Sequence, residues 1–348
     1  MTLVPRGRPP DVWIDVKNSH EPAFFHSLIT RLEAADRKVF VTARDYAEIL
    51  ALLDLRGIRY RKVGGHHGSN ILAKAFGRLV MRNLGLMGRL PRFRVALSHM
   101  SAEAAMIGRL RGSLTISFGD NDLTQLYTDT QLPFIDHLFF PAAIPEARWK
   151  GRFGSPRHLE PFDGFKEDVY LADFVPDPVF ASKLPARDYV VVRPEAVKAE
   201  YYPRGEPSIV PALLRALARE SIPVVYLPRY LEDREMAAGI DGVWIPPTPL
   251  NGLDLCWSAR AVLTGSGTMA REAALLGVPA VQFIPGHNLA VDRSLEAKGW
   301  LAHIRDPELI VDHLRRARRK EFDQARPRTV LEGIMDRVLE IVRAAPAA

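Results

Sequence analysis

Short apolar strand patterns alternate with longer helical patterns along most of this 348-residue chain, and that rhythm leaves few folds open. In the first half D-V-W-I-D-V (11–16), K-V-F-V-T-A (38–43), Y-R-K-V (60–63), R-V-A-L-S (94–98), L-T-I-S-F (114–118) and H-L-F-F-P (137–141) read as strands. Helical spacing fills 22–32, 46–53, 71–90 and 102–110. Strands separated by whole helices cannot pair as tight hairpins; they need crossovers, and crossovers give a parallel sheet. Residues 142–186 break the rhythm with Pro145, Pro156, Pro161, Pro176, Pro178 and Pro185. It restarts with Y-V-V-V-R (189–193), P-V-V-Y-L-P (223–228), G-V-W-I-P (242–246), A-V-L-T-G (261–265) and A-V-Q-F-I-P (280–285). Helical patterns at 208–220, 231–238, 254–259, 268–276 and 290–298 lie between these strands, and an amphipathic stretch at 329–343 closes the chain. The expected fold class is α/β: two Rossmann-like domains with parallel sheets facing across a cleft. The expected bounds are a flexible lead-in at 1–10, a first domain at 11–180, a second at 187–328, and a C-terminal helix at 329–348 near the hinge.

With 47% hydrophobic and 25% charged residues, the chain has the balance of a soluble globular protein. A net charge of +6 favours anionic partners without choosing among them. The single cysteine, Cys256, excludes an internal disulfide and a cysteine-rich metal site. No apolar run reaches the ~18 residues of a spanning helix, and M-T-L-V-P-R-G-R-P-P lacks the apolar core of a secretory signal. A cytoplasmic protein is expected, with peripheral contact at the inner membrane face as a further option.

The most informative segment is A-V-L-T-G-S-G-T-M-A-R-E-A-A-L-L-G-V-P-A-V (261–281). A buried strand ends at Thr264, a small loop follows, and a helix begins near Thr268. Gly265 and Gly267 are expected to adopt backbone angles that bulkier residues resist and to let an anion approach the main chain. Free N–H groups at the helix start, favoured by the helix dipole, would hold that anion. Ser266 and Thr268 add hydroxyls, and Glu272 stands about one turn further, where a carboxylate can accept from ribose hydroxyls. The alternative is plain strand–turn–helix punctuation with a Ser or Thr cap.

This segment resembles the C-terminal nucleotide-binding signature of GT-B proteins, among them the N-acetylglucosaminyltransferase that forms lipid II and the UDP-N-acetylglucosamine 2-epimerases. The resemblance implies that Ser266, Gly267 and Thr268 contact a diphosphate, that Glu272 contacts the ribose, and that the fold is GT-B-like. From Asp11 to about Pro307 the chain also resembles a prokaryotic family catalogued as domain of unknown function 354. V-W-I-D-V-K-N-S-H, V-T-A-R-D-Y-A-E, Y-L-A-D-F, V-V-V-R-P-E and T-G-S-G-T-M-A-R-E-A-A-L-L-G-V-P carry that resemblance. It implies a fold and no settled activity.

Other residues point to chemistry less sharply. Arg193, at the end of a strand, suits phosphate oxygens with its planar fork, and Lys198 follows closely. An ion pair is the other reading of Arg193. His20 lies in the loop after the first strand, as a general base or a structural, capping histidine. GT-B transferases often place a Gly-rich loop with a histidine there, and the glycines are missing here. Ser98, His99, Ser101 and Glu103 follow the strand R-V-A-L-S, where the 2-epimerases carry an Asp that this chain replaces with Met100. Asp120 and Asp122 close the next strand as acid/base candidates or helix caps. Lys74, Arg78 and Arg82 share one face of the 71–90 helix, which is either a membrane-resting basic face or a core helix with a solvated side. R-R-A-R-R-K (315–320) reads as a solvated helix end. His66-His67 lacks partners at metal-ligand spacing, so no metal is assigned, and no nucleic-acid motif is found.

Three functions remain open. One is a metal-independent glycosyltransferase, with a UDP-linked sugar as donor substrate, no separate cofactor, and a lipid-linked or saccharide acceptor. The second is a nucleotide-sugar 2-epimerase using His99, Asp120 or Asp122. The third is a nucleotide-sugar-binding protein without chemistry.

Overall fold

The computed structural model describes residues 9–45, 48–64, 82–197, 202–203, 205–286 and 288–347. These residues form two compact units: Met1–Asp173 with Ala325–Ala348, and Phe174–Gln324.

The first unit holds β1 (Val12–Val16), α1 (Glu21–Ala34), β2 (Val39–Ala43), α2 (Ile49–Leu55), β3 (Arg61–Lys62) and α3 (Arg82–Arg89). It continues with β4 (Val95–His99), α4 (Ala102–Leu110), β5 (Leu114–Phe118), α5 (Gln125–Asp129), β6 (His137–Pro141), β7 (His158–Phe162) and α6 (Asp168–Leu171). Its seven strands are parallel, in the order β3-β2-β1-β4-β5-β6-β7. All five residues of β1 are buried, including Asp15. A carboxylate there needs compensation: Arg82 grips it through Nη1 and Nη2 at 3.0 and 2.8 Å, while Thr42 Oγ1 and Ser101 Oγ donate at 2.7 and 3.1 Å.

The second unit holds β8 (Val190–Arg193), α7 (Val210–Arg219), β9 (Val224–Tyr226), β10 (Val243–Trp244), α8 (Gly252–Ser258) and β11 (Ala261–Thr264). It ends with α9 (Gly267–Leu275), β12 (Ala280–Gln282), α10 (Ala290–Ala297), β13 (Leu301–His303) and α11 (Pro307–Arg316). Its six parallel strands run in the order β10-β9-β8-β11-β12-β13. Val190, Val192, Leu263, Val281 and Phe283 pack with Leu213, Leu217, Ile310 and Leu314 as its core. Buried parallel strands read as continuous apolar runs, which is why V-V-V and A-V-L stand out in the sequence.

The structure moves several expected features. Where the sequence rhythm breaks, the first unit adds β7 and α6, and the division between the units falls at Asp173 and Phe174. The last helix, α12, spans Ala325–Ala344 and packs on α6, α1 and β7. Its Arg326 pairs with Asp168, with Nη1 2.9 Å from Oδ2, and its Arg337 pairs with Glu160, with Nη2 2.8 Å from Oε1. Arg82 is not on a basic outer face: it is 2% exposed, because Asp15 requires it inside. Lys74, Arg78, His66 and His67 lie outside the described residues. Of the 315–320 cluster, Arg315 and Arg316 close α11, whereas Arg319 leaves it and stacks over Trp257 at 4.2 Å. No helix among the described residues is long and apolar enough to cross a membrane.

Candidate functional site

In each sheet the strand order reverses once, between β1 and β4 in the first unit and between β8 and β11 in the second. Crossovers leave such a switch point in opposite directions, opening a crevice beyond the carboxyl ends of the two strands. Both groups of candidate residues fall at these points.

In the second unit Arg193 ends β8 and stands in register with Thr264, the last residue of β11. The Gly265 amide donates to the Arg193 carbonyl at 2.9 Å, one ladder bond beyond the last residue of β11. The Ser266 amide turns back to Thr264 Oγ1 at 2.9 Å, and α9 begins at Gly267, one residue before the expected start. Neither glycine adopts a positive φ, so freedom of backbone angle is not their role. A Cβ on Gly265 would instead overlap the Glu195 backbone, 2.5 Å from its nitrogen. A Cβ on Gly267 would sit 3.1 Å from Arg271 Nη1.

Ser266 occupies the N-cap of α9, yet its side chain makes no capping bond. The first-turn N–H groups of a helix have no intrahelical acceptors, and α9 starts directly after β11, one of the two strands at the switch point. Ser266, Gly267, Thr268 and Glu272 are half-buried, the exposure expected of residues lining a crevice. Arg271, one residue before Glu272, is buried and donates to Asp292 Oδ1 at 2.9 Å, while Asp292 Oδ2 accepts from Gln282 Nε2 at 3.2 Å. That network fixes the helix start from behind. Glu272 raises and Arg193 lowers the pKa of the buried Cys256 thiol, after burial itself has pushed it well above the ordinary range. Both charges therefore act in one neighbourhood.

Arg229, which sequence reasoning missed, joins this crevice. Its Nε donates to the Pro194 carbonyl at 2.7 Å and its Nη2 reaches the Gly265 carbonyl at 3.4 Å. The available signal was its place just after the strand P-V-V-Y-L-P. Glu195 is buried and accepts from Ser208 Oγ at 2.6 Å and Ile209 N at 3.2 Å, a structural use. Lys198 lies outside the described residues.

In the first unit His20 stands at the N-cap of α1 and makes no side-chain capping bond. Its ring meets that of His99 edge-on, with centroids 5.1 Å apart. His99 ends β4, and its Nε2 stands 3.4 Å from Asp120 Oδ1. Asp120 is no helix cap: its Oδ2 takes Lys166 Nζ at 2.6 Å, and Asn121 caps the following turn through Leu123 N and Thr124 N. Burial lowers the His99 pKa to about 4, Asp120 opposing, so the imidazole is neutral at pH 7. Asp122 is half-buried beside it in the chain.

Ser101 caps α4 by accepting from Ala104 N at 3.3 Å. Glu103 pairs with Lys17 Nζ at 3.2 Å, and Lys17 also meets Tyr127 Oη at 3.0 Å. Burial pushes Glu103 up, but Lys17 and Arg82 hold it down at about 2. The sequence reading did not single out Lys17, Glu21, Tyr127 or Lys166; only Lys17 and Glu21 carried a signal, flanking the loop after β1.

A family profile described as "Protein of unknown function (DUF354)" matches residues 10–345. An uncharacterised protein of Methanocaldococcus jannaschii is 26% identical over 318 residues, covering 87% of this chain and 90% of that one. Among solved structures, UDP-GlcNAc 2-epimerase of M. jannaschii, in complex with UDP-GlcNAc and UDP, is similar with a TM-score of 0.72 at 12% identity, covering 96% of this chain and 100% of the other. The glycotransferase of kitacinnamycin is similar with a TM-score of 0.56 at 14% identity, covering 97% and 100%. At such identities the likeness speaks for the fold, and the fold is the two-domain α/β architecture of GT-B proteins.

Proposed function

The chain belongs to the DUF354 family, and from that premise we propose that it binds a nucleoside diphosphate sugar, a UDP-linked one, and uses it as a glycosyl donor. One observation carries the binding half: Arg193, Ser266, Gly267, Thr268 and Glu272 gather at the switch point of the second sheet. The first turn of α9 cradles the diphosphate, and the Arg193 guanidinium neutralises it. Glu272 lies five residues beyond Gly267, about 7.5 Å along the helix, which suits a ribose next to that diphosphate. The sugar-nucleotide named with the M. jannaschii 2-epimerase structure supports the choice of UDP.

Transfer needs a general base for an acceptor hydroxyl, and His99, with Asp120 behind it, is the best placed candidate; His20 and Asp122 are the others. The acceptor is a saccharide or a lipid-linked sugar. The developing diphosphate charge is met by Arg193 and the start of α9, with no metal needed there. Of the three basic residues expected on a membrane-facing side, Arg82 is buried, and Lys74 and Arg78 lie outside the described residues. A 2-epimerase is the second reading, favoured by the same His99–Asp120 pair, which could exchange a proton at the sugar.

A thermal-shift screen of sugar-nucleotides tests binding, since a ligand at a hundred times its Kd stabilises by about 2.7 kcal/mol. Product analysis then separates the readings: transfer needs an acceptor, and epimerisation yields a new sugar-nucleotide without one. Stabilisation with neither product leaves a binding protein. Within the site, Glu272→Ala is expected to weaken UDP binding by ~1–3 kcal/mol, the worth of hydrogen bonds to a charged group. Unchanged calorimetric affinity would remove Glu272 from the ribose.

A further inference from the structure

The neighbours His20 and Glu21 meet His99, distant in sequence, at the switch point of the first sheet. His20 and Glu21 stand where the chain leaves β1 and enters α1, and His99 ends the neighbouring strand β4. One ligand-capable atom from each lies within 4.8 Å of the other two. We propose that His20, Glu21 and His99 form a binding site for a divalent transition-metal ion of the zinc class, with a further position for water or a substrate oxygen; with an ion bound, His20 and His99 are ligands, and the base for an acceptor hydroxyl falls to Asp122 or to an oxygen on the ion.

The donor set is the first reason. Two imidazoles and one carboxylate are a set that zinc takes in sites with an open position, with bonds of about 2.0–2.2 Å. Imidazole ligands also select such ions over magnesium or calcium. Ligand atoms within 4.8 Å of one another are on the scale that one such ion spans.

Charge is the second reason. Glu21 is fully buried. It accepts from the Lys17 amide at 2.5 Å and from Asn18 Nδ2 at 2.6 Å, both uncharged donors. Among the described residues no Lys or Arg side chain makes an ion pair with it: Lys17 Nζ is turned to Glu103 and Tyr127. A buried carboxylate without a contacting cation is costly, and a bound ion supplies the missing charge. The same two amides would hold a ligating carboxylate in place.

The surroundings of His99 are the third. Asp120 stands 3.4 Å from Nε2 and is itself held by Lys166 Nζ at 2.6 Å. Metal-bound histidines commonly give one ring nitrogen to a carboxylate and the other to the ion. No spacing in the sequence announces this group, because the ligands come from two strand ends that only the sheet brings together.

The test uses full-length protein stripped with a chelator. Zinc is titrated calorimetrically against a competing chelator, and cobalt by visible absorption. One ion per chain, with cobalt absorption of a four- or five-coordinate site, is expected. Glu21→Gln and His99→Ala should each weaken zinc binding at least about 10-fold, the lower end of the loss seen even for outer-shell partners. His158→Ala, at an exposed histidine of the same unit, should not. His20→Ala, at a half-buried helix end, is the variant least disturbing to the core, and it should lose zinc affinity with an unchanged melting curve. Absent stoichiometric binding in the wild type, or wild-type zinc affinity retained in His20→Ala and His99→Ala, overturns the proposal. Either result leaves the nucleotide site of the second unit untouched, since none of its residues takes part.

Discussion

Replacing Arg82 with alanine is expected to destabilise the first unit by about 3–5 kcal/mol, the cost of leaving one partner of a buried ion pair alone. The guanidinium and Asp15 are both essentially inaccessible, with side chains 1% and 0% exposed, and they meet through two bonds of 2.8 and 3.0 Å. Thr42 and Ser101 would still donate to Asp15, but neither brings charge. Glu103, 3.7 Å from Arg82 Nη1, would keep its ion pair with Lys17 and the hydrogen bond from Ser101 Oγ. A calorimetric scan should show the first unit's transition falling on the order of 10 °C. Asp15→Asn combined with Arg82→Met should lose much less than the two single changes added together, since contacting residues do not behave additively. A loss under 1 kcal/mol for Arg82→Ala, about that of a surface pair, would contradict the buried pairing.

Gly267→Val is expected to abolish measurable UDP binding, a larger effect than Glu272→Ala. Gly267 is the first residue of α9, and an isopropyl group there would fill the space in front of the helix N–H groups, where the diphosphate is proposed to sit. It would also press on Arg271, 3.1 Å from where the new Cβ stands. The Arg271–Asp292 pair is fully buried, so melting curves should accompany the titration. Gly267→Ala is the milder companion: it should weaken binding while leaving the melting curve close to wild type. Retention of wild-type affinity by Gly267→Val would move the phosphate elsewhere.

The fold was readable in the sequence wherever strands are buried on both faces. V-V-V-R, A-V-L-T and V-A-L-S-H are continuous apolar runs that end at the residues lining the switch points. β7 was hidden because it lies at the sheet edge: H-L-E-P-F is only partly buried and contains Pro161, which an edge strand tolerates. β13 was hidden because three residues, L-A-H, carry no period. The Gly-Ser-Gly turn and Glu272 were legible through local chemistry, whereas the reason for the glycines was not. Their constraint is a close approach to Glu195 and Arg271, a tertiary fact. Arg82 shows the same limit from the other side. Its spacing from Lys74 and Arg78 suggested a common basic face, but a carboxylate buried 67 residues earlier decides where it points. The meeting of His20, Glu21 and His99 likewise depends on strand order and not on spacing.

The central claim, a UDP-sugar site at the end of β8 and β11, is tested most directly by isothermal titration of UDP into the wild-type chain and into Gly267→Val. The account predicts one site per chain in the wild type and no detectable heat of binding in the variant, with both proteins equally folded. Saturable binding of equal strength in the two proteins, or none to the wild type by UDP or any other nucleoside diphosphate, would contradict it.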